Sequence, residues 1–389
     1  MRVGEIRDLV VSLVGHRPPR RNARTRSILV VSTLLPSRGH AGGVRILDIA
    51  AEIRRLVPDT TIDLFSLEHP DIDFVDAETL SVFDRVHISR DRKLSFDRLP
   101  DAARHWYDVV DIQYPQPPRR ILSYRQYCAK LLFTPMESAA RRVALAPPGA
   151  VPEDDRRAGR REERIARLVD EVVCVSEPDA DCLRRKTGLT NIGHLDTCIS
   201  RQEFADRIAS AASGALDGRR IVFAAFFGAP PNREALDWYL DRVHRRVVEA
   251  VPDAELLVVG RGNLATYRER ADRNVRLVGE VANVADAIAE AAIGIAPLFS
   301  GSGFRGKVNQ YAVLGLPCVA TSLAASGLAY EDGKDIFVTE DPIVFADHLV
   351  RLLRDPEFRR TIGDRARERC LANYSWSSKA ARITEIYEL

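Results

Sequence analysis

The sequence of 389 residues has few lysines, few cysteines and no long apolar segment. Only six of its 57 lysine and arginine residues are lysines, so the position of each lysine is informative. The formal net charge is +2, whereas a dedicated nucleic-acid-binding protein normally carries a clear basic excess. We therefore expect no nucleic-acid partner.

The six cysteines are scattered along the chain, and none forms a C-x-x-C pair. Several lie within apolar runs, as Cys174 does in residues 172–175. This spacing argues against a disulfide framework and a zinc site, and it predicts buried free thiols in a reducing compartment. The cysteines are Cys128, Cys174, Cys182, Cys198, Cys318 and Cys370.

No uninterrupted apolar run approaches the roughly 20 residues that a membrane-spanning helix requires. The N-terminus also lacks the apolar core and the small-residue cleavage site of a signal peptide. Both absences lead us to expect a cytoplasmic protein.

Residues 1–26 differ in composition from the rest of the chain. Apolar residues at helical spacing predict a short amphipathic helix over residues 2–14, and five arginines follow between residues 17 and 26. One interpretation is an anchor that binds anionic lipid and holds the protein at the inner face of the membrane. The other is an apolar stripe that packs on its own domain or on a partner. Glu5 and Asp8 favour the second interpretation because they dilute the positive charge.

From residue 27 onward, short apolar strands alternate with amphipathic helices. This alternation predicts parallel sheets that are covered by helices on both faces. We therefore predict two tandem doubly wound, Rossmann-like α/β domains that face each other across a cleft, with ligands at the carboxyl ends of the strands. The predicted parts are an extension (1–26), a first domain (27–209), a linker rich in alanine, serine and glycine (210–218), a second domain (219–372) and a C-terminal helical segment (373–389).

The individual elements follow from the same patterns. Helices are predicted at the charge-dense residues 153–170 and at residues 232–251, among others. Strands are predicted at residues 28–31, 62–67, 109–112, 131–133, 172–175, 221–226, 255–259, 275–278, 293–296, 317–321 and 336–338.

The most informative segment is residues 293–311, where an apolar strand enters a glycine-rich turn and a helix follows. The glycines let the backbone approach a ligand closely, and the free N–H groups of a helix N-terminus favour phosphate. Arg305 and Lys307 add two cations at the same place. The segment predicts a phosphate-binding turn; the alternative is an ordinary tight turn with an exposed arginine and lysine.

The same turn matches the dinucleotide-binding fingerprint G-x-G-x-x-G at Gly301, Gly303 and Gly306. That fingerprint also requires a carboxylate at the end of the next strand, which holds the ribose. Here the next strand ends at residue 321 and is followed by Ser-Leu-Ala-Ala, without a carboxylate. We therefore do not expect dinucleotide binding.

Residues 297–328 resemble the donor-site signature of retaining GT-B glycosyltransferases of the family 4 type, the glycosyl transferases group 1. In many members the signature reads P-x-x-x-G-S-G-x-R-x-K and then E-A-x-A-x-G-x-P-V-V-A-T. Here it reads P-L-F-S-G-S-G-F-R-G-K and then Q-Y-A-V-L-G-L-P-C-V-A-T. Weaker similarities follow the family order at residues 42–43, 173–177, 227–232, 255–260, 278–281 and 373–377.

The resemblance implies a GT-B fold and a nucleotide-sugar donor, with residues 373–389 crossing back to the first domain. Lys307 and Arg305 are implied to stabilise the leaving diphosphate, and Glu137 is a candidate on the acceptor side. Residues His40, Gly42 and Gly43 are implied to form a loop on that side of the cleft. The donor-binding residues implied by the resemblance are Gly228, Arg233, Gly279, Val281, Gly301, Ser302, Gly303 and Gln310.

Two departures from the family pattern bear on activity. Many members carry two glutamates where this chain has Ser302 and Gln310, and an amide binds a ribose diol more weakly than a carboxylate does. Many members also carry a first-domain histidine where this chain has Gln113 and Tyr114. The alternative for Glu137 is a carboxylate that merely starts a helix.

These observations predict a bacterial retaining glycosyltransferase that moves a sugar from a nucleotide-sugar donor to a glycan, a lipid-linked saccharide or a metabolite. No D-x-D motif lies beside the predicted donor elements, so we expect neither a metal nor a cofactor. The alternatives are a catalytically silent GT-B partner or scaffold subunit and a GT-B-fold nucleotide-sugar epimerase, for which His40 and Glu137 are the obvious acid–base candidates.

Overall fold

The computed structural model describes residues 26–38, 40–67, 77–89, 93–146, 151–200, 204 and 218–389. It divides into two compact units. The first unit comprises the described residues up to Thr197 together with Ser302–Phe304 and Lys379–Leu389. The second comprises those of Cys198–Gly301 and Arg305–Ser378. The predicted extension (residues 1–25 of it) and the linker up to residue 217 lie outside the described residues, so the predicted domain boundaries stay predictions.

The first unit is built on a seven-stranded parallel sheet with the order β3-β2-β1-β4-β5-β6-β7. The strand order reverses between β1 and β4, and ligands of doubly wound folds bind at such a switch point. The strands are β1 (Ser27–Ser32), β2 (Thr61–Leu67), β3 (Arg85–Ser89), β4 (Tyr107–Gln113), β5 (Cys128–Thr134), β6 (Glu171–Cys174) and β7 (Ile192–His194).

Helices connect these strands, and their apolar faces cover the sheet. Helix α1 shows the pattern well, because Ile46, Ile49 and Ile53 recur at helical spacing and are all buried. The helices of this part of the chain are α1 (Ala41–Leu56), α2 (Ala77–Leu80), α3 (Pro118–Leu122), α4 (Ala139–Leu145), α5 (Glu153–Ala166) and α6 (Glu177–Thr187). Short 3-10 turns occur at Phe96–Arg98, Asp101–Ala103 and Arg125–Tyr127.

The second unit is built on a six-stranded parallel sheet with the order β10-β9-β8-β11-β12-β13. Its strand order reverses between β8 and β11. The strands are β8 (Arg220–Ala224), β9 (Glu255–Val259), β10 (Val275–Gly279), β11 (Ile293–Ala296), β12 (Cys318–Ala320) and β13 (Phe337–Val338). The helices are α7 (Pro230–Tyr239), α8 (Arg245–Ala250), α9 (Val284–Ala289), α10 (Gly306–Val313), α11 (Ser322–Ala325), α12 (Pro342–Arg354) and α13 (Pro356–Asn373).

The last helix, α14 (Ala380–Tyr387), belongs to the first unit. Its apolar residues Ile383 and Ile386 are buried. The Tyr387 hydroxyl donates to Asp111 Oδ2 at 2.6 Å, and Lys130 Nζ donates to the Ile386 carbonyl at 2.9 Å. The chain end is therefore part of the packed core around β4 and β5.

The predicted fold class, two tandem doubly wound α/β domains, is confirmed. The prediction of buried free thiols is also confirmed, since all six cysteines are buried and none forms a disulfide. Strands β3 and β7 were not predicted. The helix predicted over residues 232–251 is interrupted by a π-helical turn, Leu240–His244, which separates α7 from α8. Within the described part of the chain, no helix combines the length and apolar character that crossing a membrane requires.

Candidate functional site

The glycine-rich turn between β11 and α10 has a backbone that only glycine adopts readily. Gly301 and Gly303 have φ angles of 98° and 83°, in the region that residues with a Cβ avoid. Helix α10 then begins at Gly306, with Arg305 as its N-cap, and the Arg305 side chain makes no capping hydrogen bond. The Val308 amide donates to the Arg305 carbonyl at 3.2 Å, whereas the amides of Gly306 and Lys307 have no acceptor within the helix and are available to an anion.

Lys307 lies in the first turn of α10, and its ammonium is held in largely apolar surroundings. Lys307 Nζ donates to Asn232 Oδ1 at 2.9 Å and lies 5.1 Å from the centroid of the Phe223 ring. Although part of the residue remains accessible, burial of its charged group, aided by the nearby Arg305 cation, lowers the pKa of Lys307 to about 7. An anion bound beside Lys307 would stabilise the protonated form of its amine.

Asn232 fixes the position of the lysine, and the sequence analysis did not single it out. Its Nδ2 donates to the Phe226 carbonyl at 2.8 Å, which leaves Oδ1 to accept from Lys307. Asn232, in the first turn of α7, therefore links the loop that follows β8 to the first turn of α10. The family resemblance at residues 227–232 includes Asn232, but it did not indicate that this side chain binds Lys307.

Arg305 braces the turn that precedes α10, and Arg233, on α7, braces the loop that follows β8. Arg305 Nη2 donates to the Gly301 carbonyl at 2.8 Å. Arg233 Nη1 donates to the carbonyls of Phe227 and Gly228 at 2.9 and 2.7 Å. Each guanidinium thus holds its loop in shape and places a positive charge there.

The other predicted donor residues of the second unit lie at strand ends or on α10. Gly279 ends β10 with a φ of 78°, and its carbonyl accepts from the Gly260 amide at 2.7 Å. Val281 follows in the same loop and is half-buried. Gln310 is also half-buried, and its side-chain amide makes no hydrogen bond to the residues that the structure describes.

Ser302 and Gly303 group with the first unit, where Gly303 meets an acidic residue that the sequence analysis missed. The Gly303 amide donates to Asp179 Oδ2 at 3.1 Å, and Arg141 Nη1 donates to Asp179 Oδ1 at 3.0 Å. A Cβ at Gly303 would make a tight contact, 3.2 Å from Glu137 Cγ, and the positive φ of this residue also favours glycine. Asp179 stands in the first turn of α6, a position where acidic residues are common and therefore carry little signal.

Glu137 is an exposed carboxylate next to the start of α4. Arg142 Nη1 lies 3.3 Å from Glu137 Oε2, and the Glu137 side chain is 65% exposed. The N-cap of α4 is Ser138, whose hydroxyl accepts from the Arg141 amide at 3.2 Å. Glu137 therefore does not cap the helix, and its carboxylate is accessible from solvent.

The loop after β1 lies at the switch point of the first unit. His40 is the N-cap of α1, and its Nδ1 accepts from the Gly43 amide at 2.9 Å. A Cβ at Gly42 would lie 2.0 Å from the Tyr114 hydroxyl, and one at Gly43 would lie 2.4 Å from the Ser37 carbonyl oxygen. Tyr114 itself has a φ of 68°, which is strained for a tyrosine. The predicted loop is thus tightly packed against the residue that follows β4.

Among the described residues, no group of three or more His, Cys, Asp or Glu side chains is placed to hold a metal ion. The expectation of a metal-independent reaction stays a prediction.

Part of the second unit matches a family of known proteins. Residues 218–355, about a third of the chain, match the family model described as glycosyl transferases group 1. This part of the chain is similar to the glycosyl transferases group 1 family. The matched segment contains Asn232, Arg305 and Lys307, and the family resemblance drawn from the sequence is confirmed.

Curated relatives match part of this chain. The phosphatidyl-myo-inositol mannosyltransferase of Mycobacterium leprae (strain TN) is 30% identical over 178 residues, which cover 44% of this chain and 46% of the relative. The match therefore spans about half of that relative's length.

Solved structures match the fold over nearly the whole chain. Sucrose-phosphate synthase from Thermosynechococcus elongatus has a TM-score of 0.70 at 17% identity and covers 93% of this chain and 98% of its own. A point mutant of TarM from S. aureus, in complex with fondaparinux, alpha-GlcNAc-glycerol and UDP, has a TM-score of 0.71 at 11% identity and covers 94% and 100%. Both likenesses agree with the GT-B fold that the resemblance implied.

Proposed function

We propose that this protein is a glycosyltransferase that moves a sugar from a nucleotide-sugar donor to a glycan, a lipid-linked saccharide or a metabolite, with retention of configuration. The proposal rests on the position of Lys307. It lies in the first turn of α10, directly after the glycine-rich turn, within the segment that matches the glycosyl transferases group 1 model. The M. leprae relative is named for mannosyl transfer to a phosphatidyl-inositol, and the TarM structure holds UDP, which supports a nucleotide-linked donor.

The reaction needs positive charge where the nucleoside diphosphate leaves. As the anomeric carbon–oxygen bond breaks, the diphosphate becomes more negative, and prearranged cations and helix N–H groups stabilise it. Lys307 in its protonated form, Arg305 and the first amides of α10 supply this stabilisation without a metal ion. In a retaining transfer the leaving phosphate then takes the proton of the acceptor hydroxyl.

The acceptor side of the proposal rests on the first unit. Glu137 is an exposed carboxylate beside Gly303, and the loop containing His40, Gly42 and Gly43 lies at the switch point. A cytoplasmic location, with residues 1–26 as the segment that would contact a membrane, remains part of the proposal.

The proposal is tested first by donor binding. A thermal-shift screen of UDP, GDP and their sugars should find one that raises the melting temperature, since a ligand at 100 times its Kd adds about 2.7 kcal/mol. Transfer with the best donor is then measured in Lys307→Ala, where turnover should fall by at least about 100-fold. Lys334→Ala is the matched control, because Lys334 is an exposed lysine of the second unit that pairs only with Glu331 among the described residues.

A second candidate is a catalytically silent GT-B subunit. Gln310 in place of a carboxylate favours it, because a neutral amide binds the donor ribose less strongly. Nucleotide-sugar binding without transfer or hydrolysis, in the presence of glycan and lipid acceptors, would support this candidate.

For the transferase proposal, near-normal turnover of Lys307→Ala would remove Lys307 from the mechanism.

A further inference from the structure

Tyr311, on α10, bonds to two neighbouring strands of the second sheet. Its hydroxyl accepts from the Ala224 amide of β8 at 2.9 Å and donates to the Ile295 carbonyl of β11 at 3.3 Å. Both partners are backbone groups of adjacent strands, and the Tyr311 side chain is completely buried. The phenol hydroxyl therefore bridges β8 and β11, where a sheet normally has a direct backbone hydrogen bond.

The pairing between β8 and β11 ends before either strand does. Within the described part of the chain, residues 221–222 pair with residues 293–294, and no further pair follows. Strand β8 stays paired with β9 as far as Ala224, and β11 stays paired with β12 as far as Ala296. The two strands therefore separate toward their carboxyl ends, where the strand order reverses, and the Tyr311 hydroxyl lies between them.

A glycine in β11 makes room for the phenol ring. A Cβ at Gly294 would lie 2.2 Å from Cδ2 and 2.3 Å from Cγ of Tyr311, so a larger residue there would displace the ring. Glycine inside a strand weakens it and often marks the close approach of another group. Gly294 and Tyr311 are thus complementary, because the strand lacks a side chain where the ring packs.

Tyr311 and Lys307 are four residues apart on α10 and therefore lie on the same face of the helix. Strand β8 contacts both of them through consecutive residues. The Ala224 amide donates to the Tyr311 hydroxyl, and the Phe223 ring centroid lies 5.1 Å from Lys307 Nζ. The hydroxyl thus fixes β8 relative to α10 at the residue next to the ring that the lysine contacts.

The Lys307 amine faces groups from four elements. Asn232 of α7 accepts from Nζ, Phe223 of β8 presents its ring, and Cys318 of β12 favours the charged amine. Arg305, the N-cap of α10, adds a positive charge. Burial has the largest influence and lowers the pKa of the amine, so the position of β8 relative to α10 affects how readily the amine keeps its proton.

We propose that Tyr311 is a positioning residue for Lys307, and that its hydroxyl, by keeping β8 apart from β11, holds the amine in the buried place from which it meets the diphosphate of the donor. This inference rests on the proposed function, since it assumes a donor with a diphosphate. Tyr311 is itself completely buried, so its effect on a donor passes through the lysine.

The test measures the protonation of Lys307 directly, in the full chain and without a donor. Each lysine amine is labelled with trace acetic anhydride between about pH 5 and pH 11, and mass spectrometry of the peptides gives the pH at which each amine loses its proton. The chain has only six lysines, so each of them can be followed separately. In the natural protein the midpoint for Lys307 should be about 7, whereas the exposed Lys186 and Lys334 should have midpoints at about 10.4.

Tyr311→Phe keeps the ring and removes the hydroxyl. Strand β8 then loses its link to α10 and β11, and water gains access to the amine. The midpoint for Lys307 should rise by at least about one pH unit, while those of Lys186 and Lys334 stay unchanged. The pH at which the Kd for UDP begins to rise, measured by isothermal titration, should move upward with it.

Tyr374→Phe is the matched control, because the Tyr374 hydroxyl also accepts from a backbone amide of the second unit, that of Ala329 at 2.6 Å. Both substitutions should lower the melting temperature, but the control should leave the Lys307 midpoint within about 0.3 pH unit of the natural one. A role confined to stabilising the sheet would give the two variants the same Lys307 midpoint.

An unchanged midpoint in Tyr311→Phe, or an equal change in Tyr374→Phe, would overturn the positioning role. So would a natural protein in which Lys307 has the same midpoint as Lys186 and Lys334, a result that needs no variant to fold. If the natural protein bound neither UDP nor GDP, the proposed function would be wrong, and the labelling would still decide whether Tyr311 positions the lysine.

Discussion

The surroundings of Lys307 disfavour the protonated, charged form of its amine. The group lies among Asn232, the Phe223 ring and the Arg305 cation, and its pKa is lowered to about 7. The titratable groups that act on it are Arg305, which lowers the pKa, and Cys318, which opposes that effect. At neutral pH the lysine is therefore about half protonated before a donor binds.

Donor binding should consequently depend on pH. A bound diphosphate stabilises the ammonium and raises the pKa of Lys307, so binding takes up a proton. The second phosphate ionisation has a pKa of about 6, so the phosphates are mostly ionised above pH 7, and the Kd for UDP should rise there by up to about tenfold per pH unit. Isothermal titration between pH 7 and 9, in two buffers of different ionisation enthalpy, measures both the affinity and the proton uptake.

Lys307→Arg is the matched variant for this prediction, because a guanidinium stays charged over the whole range. Its Kd for UDP should be nearly independent of pH, and its binding enthalpy should not depend on the buffer. A natural protein with the same affinity at pH 7 and pH 9 would contradict the prediction.

At the scale of elements, helix α14 is joined to the first sheet by a buried polar network. Tyr387 donates to Asp111, which also accepts from Gln113 Nε2 at 2.6 Å and from Thr134 Oγ1 at 3.1 Å. Burial raises the pKa of Asp111, and the three donors partly compensate for that burial. The hydroxyl of Tyr387 is thus one of the groups that make the buried carboxyl tolerable.

Removing this hydroxyl should destabilise the first unit. In Tyr387→Phe the buried Asp111 loses a donor, which costs about 1–3 kcal/mol. The melting temperature should fall by about 2–4 °C for each kcal/mol. Differential scanning calorimetry measures the change, and Tyr127→Phe is the control, because the Tyr127 hydroxyl makes no hydrogen bond to the described residues. Equal melting temperatures of the two variants would contradict the role given to Tyr387.

At the scale of the whole molecule, the proposed nucleotide contacts are distributed unevenly between the two units. Asn232, Arg305 and Lys307 lie in the second unit, whereas α14 completes the first. The nucleotide contacts proposed above therefore belong to one unit, and a bound nucleotide should protect that unit selectively.

Hydrogen–deuterium exchange of the full chain with and without UDP tests this distribution. We expect slower exchange in the peptides that cover residues 225–232 and 305–309, because a bound nucleotide would order those segments. Peptides from α14 and from β4 and β5 should exchange at unchanged rates and serve as an internal control. Protection confined to the first unit would contradict the assignment of the donor site to the second.

Sequence patterns did not predict the two edge strands of the first sheet, although they predicted those of the second. Strands β3 and β7 form the two edges of the first sheet, and both were missed. Strand β3 alternates apolar with polar residues, and β7 has only three residues. An edge strand has one neighbour and faces solvent on its other side, so it needs no continuous apolar run. Central strands such as β1 and β4 are buried on both faces and were therefore predicted.

The sequence by itself determined the alternation of strands and helices, the glycine-rich turn, and the lysine in the first turn of α10 that follows it. Each of these features depends only on residues close together along the chain. The tertiary structure decided what surrounds that lysine. Asn232 is 75 residues from Lys307 along the chain, and Ala224 is 87 residues from Tyr311, yet each pair is in contact. Contacts of this kind arise because parallel strands bring their carboxyl ends to one edge of a sheet, and no local periodicity records which side chains meet there. The lowered pKa of Lys307 has the same origin, since burial and the position of a second cation are properties of the folded chain.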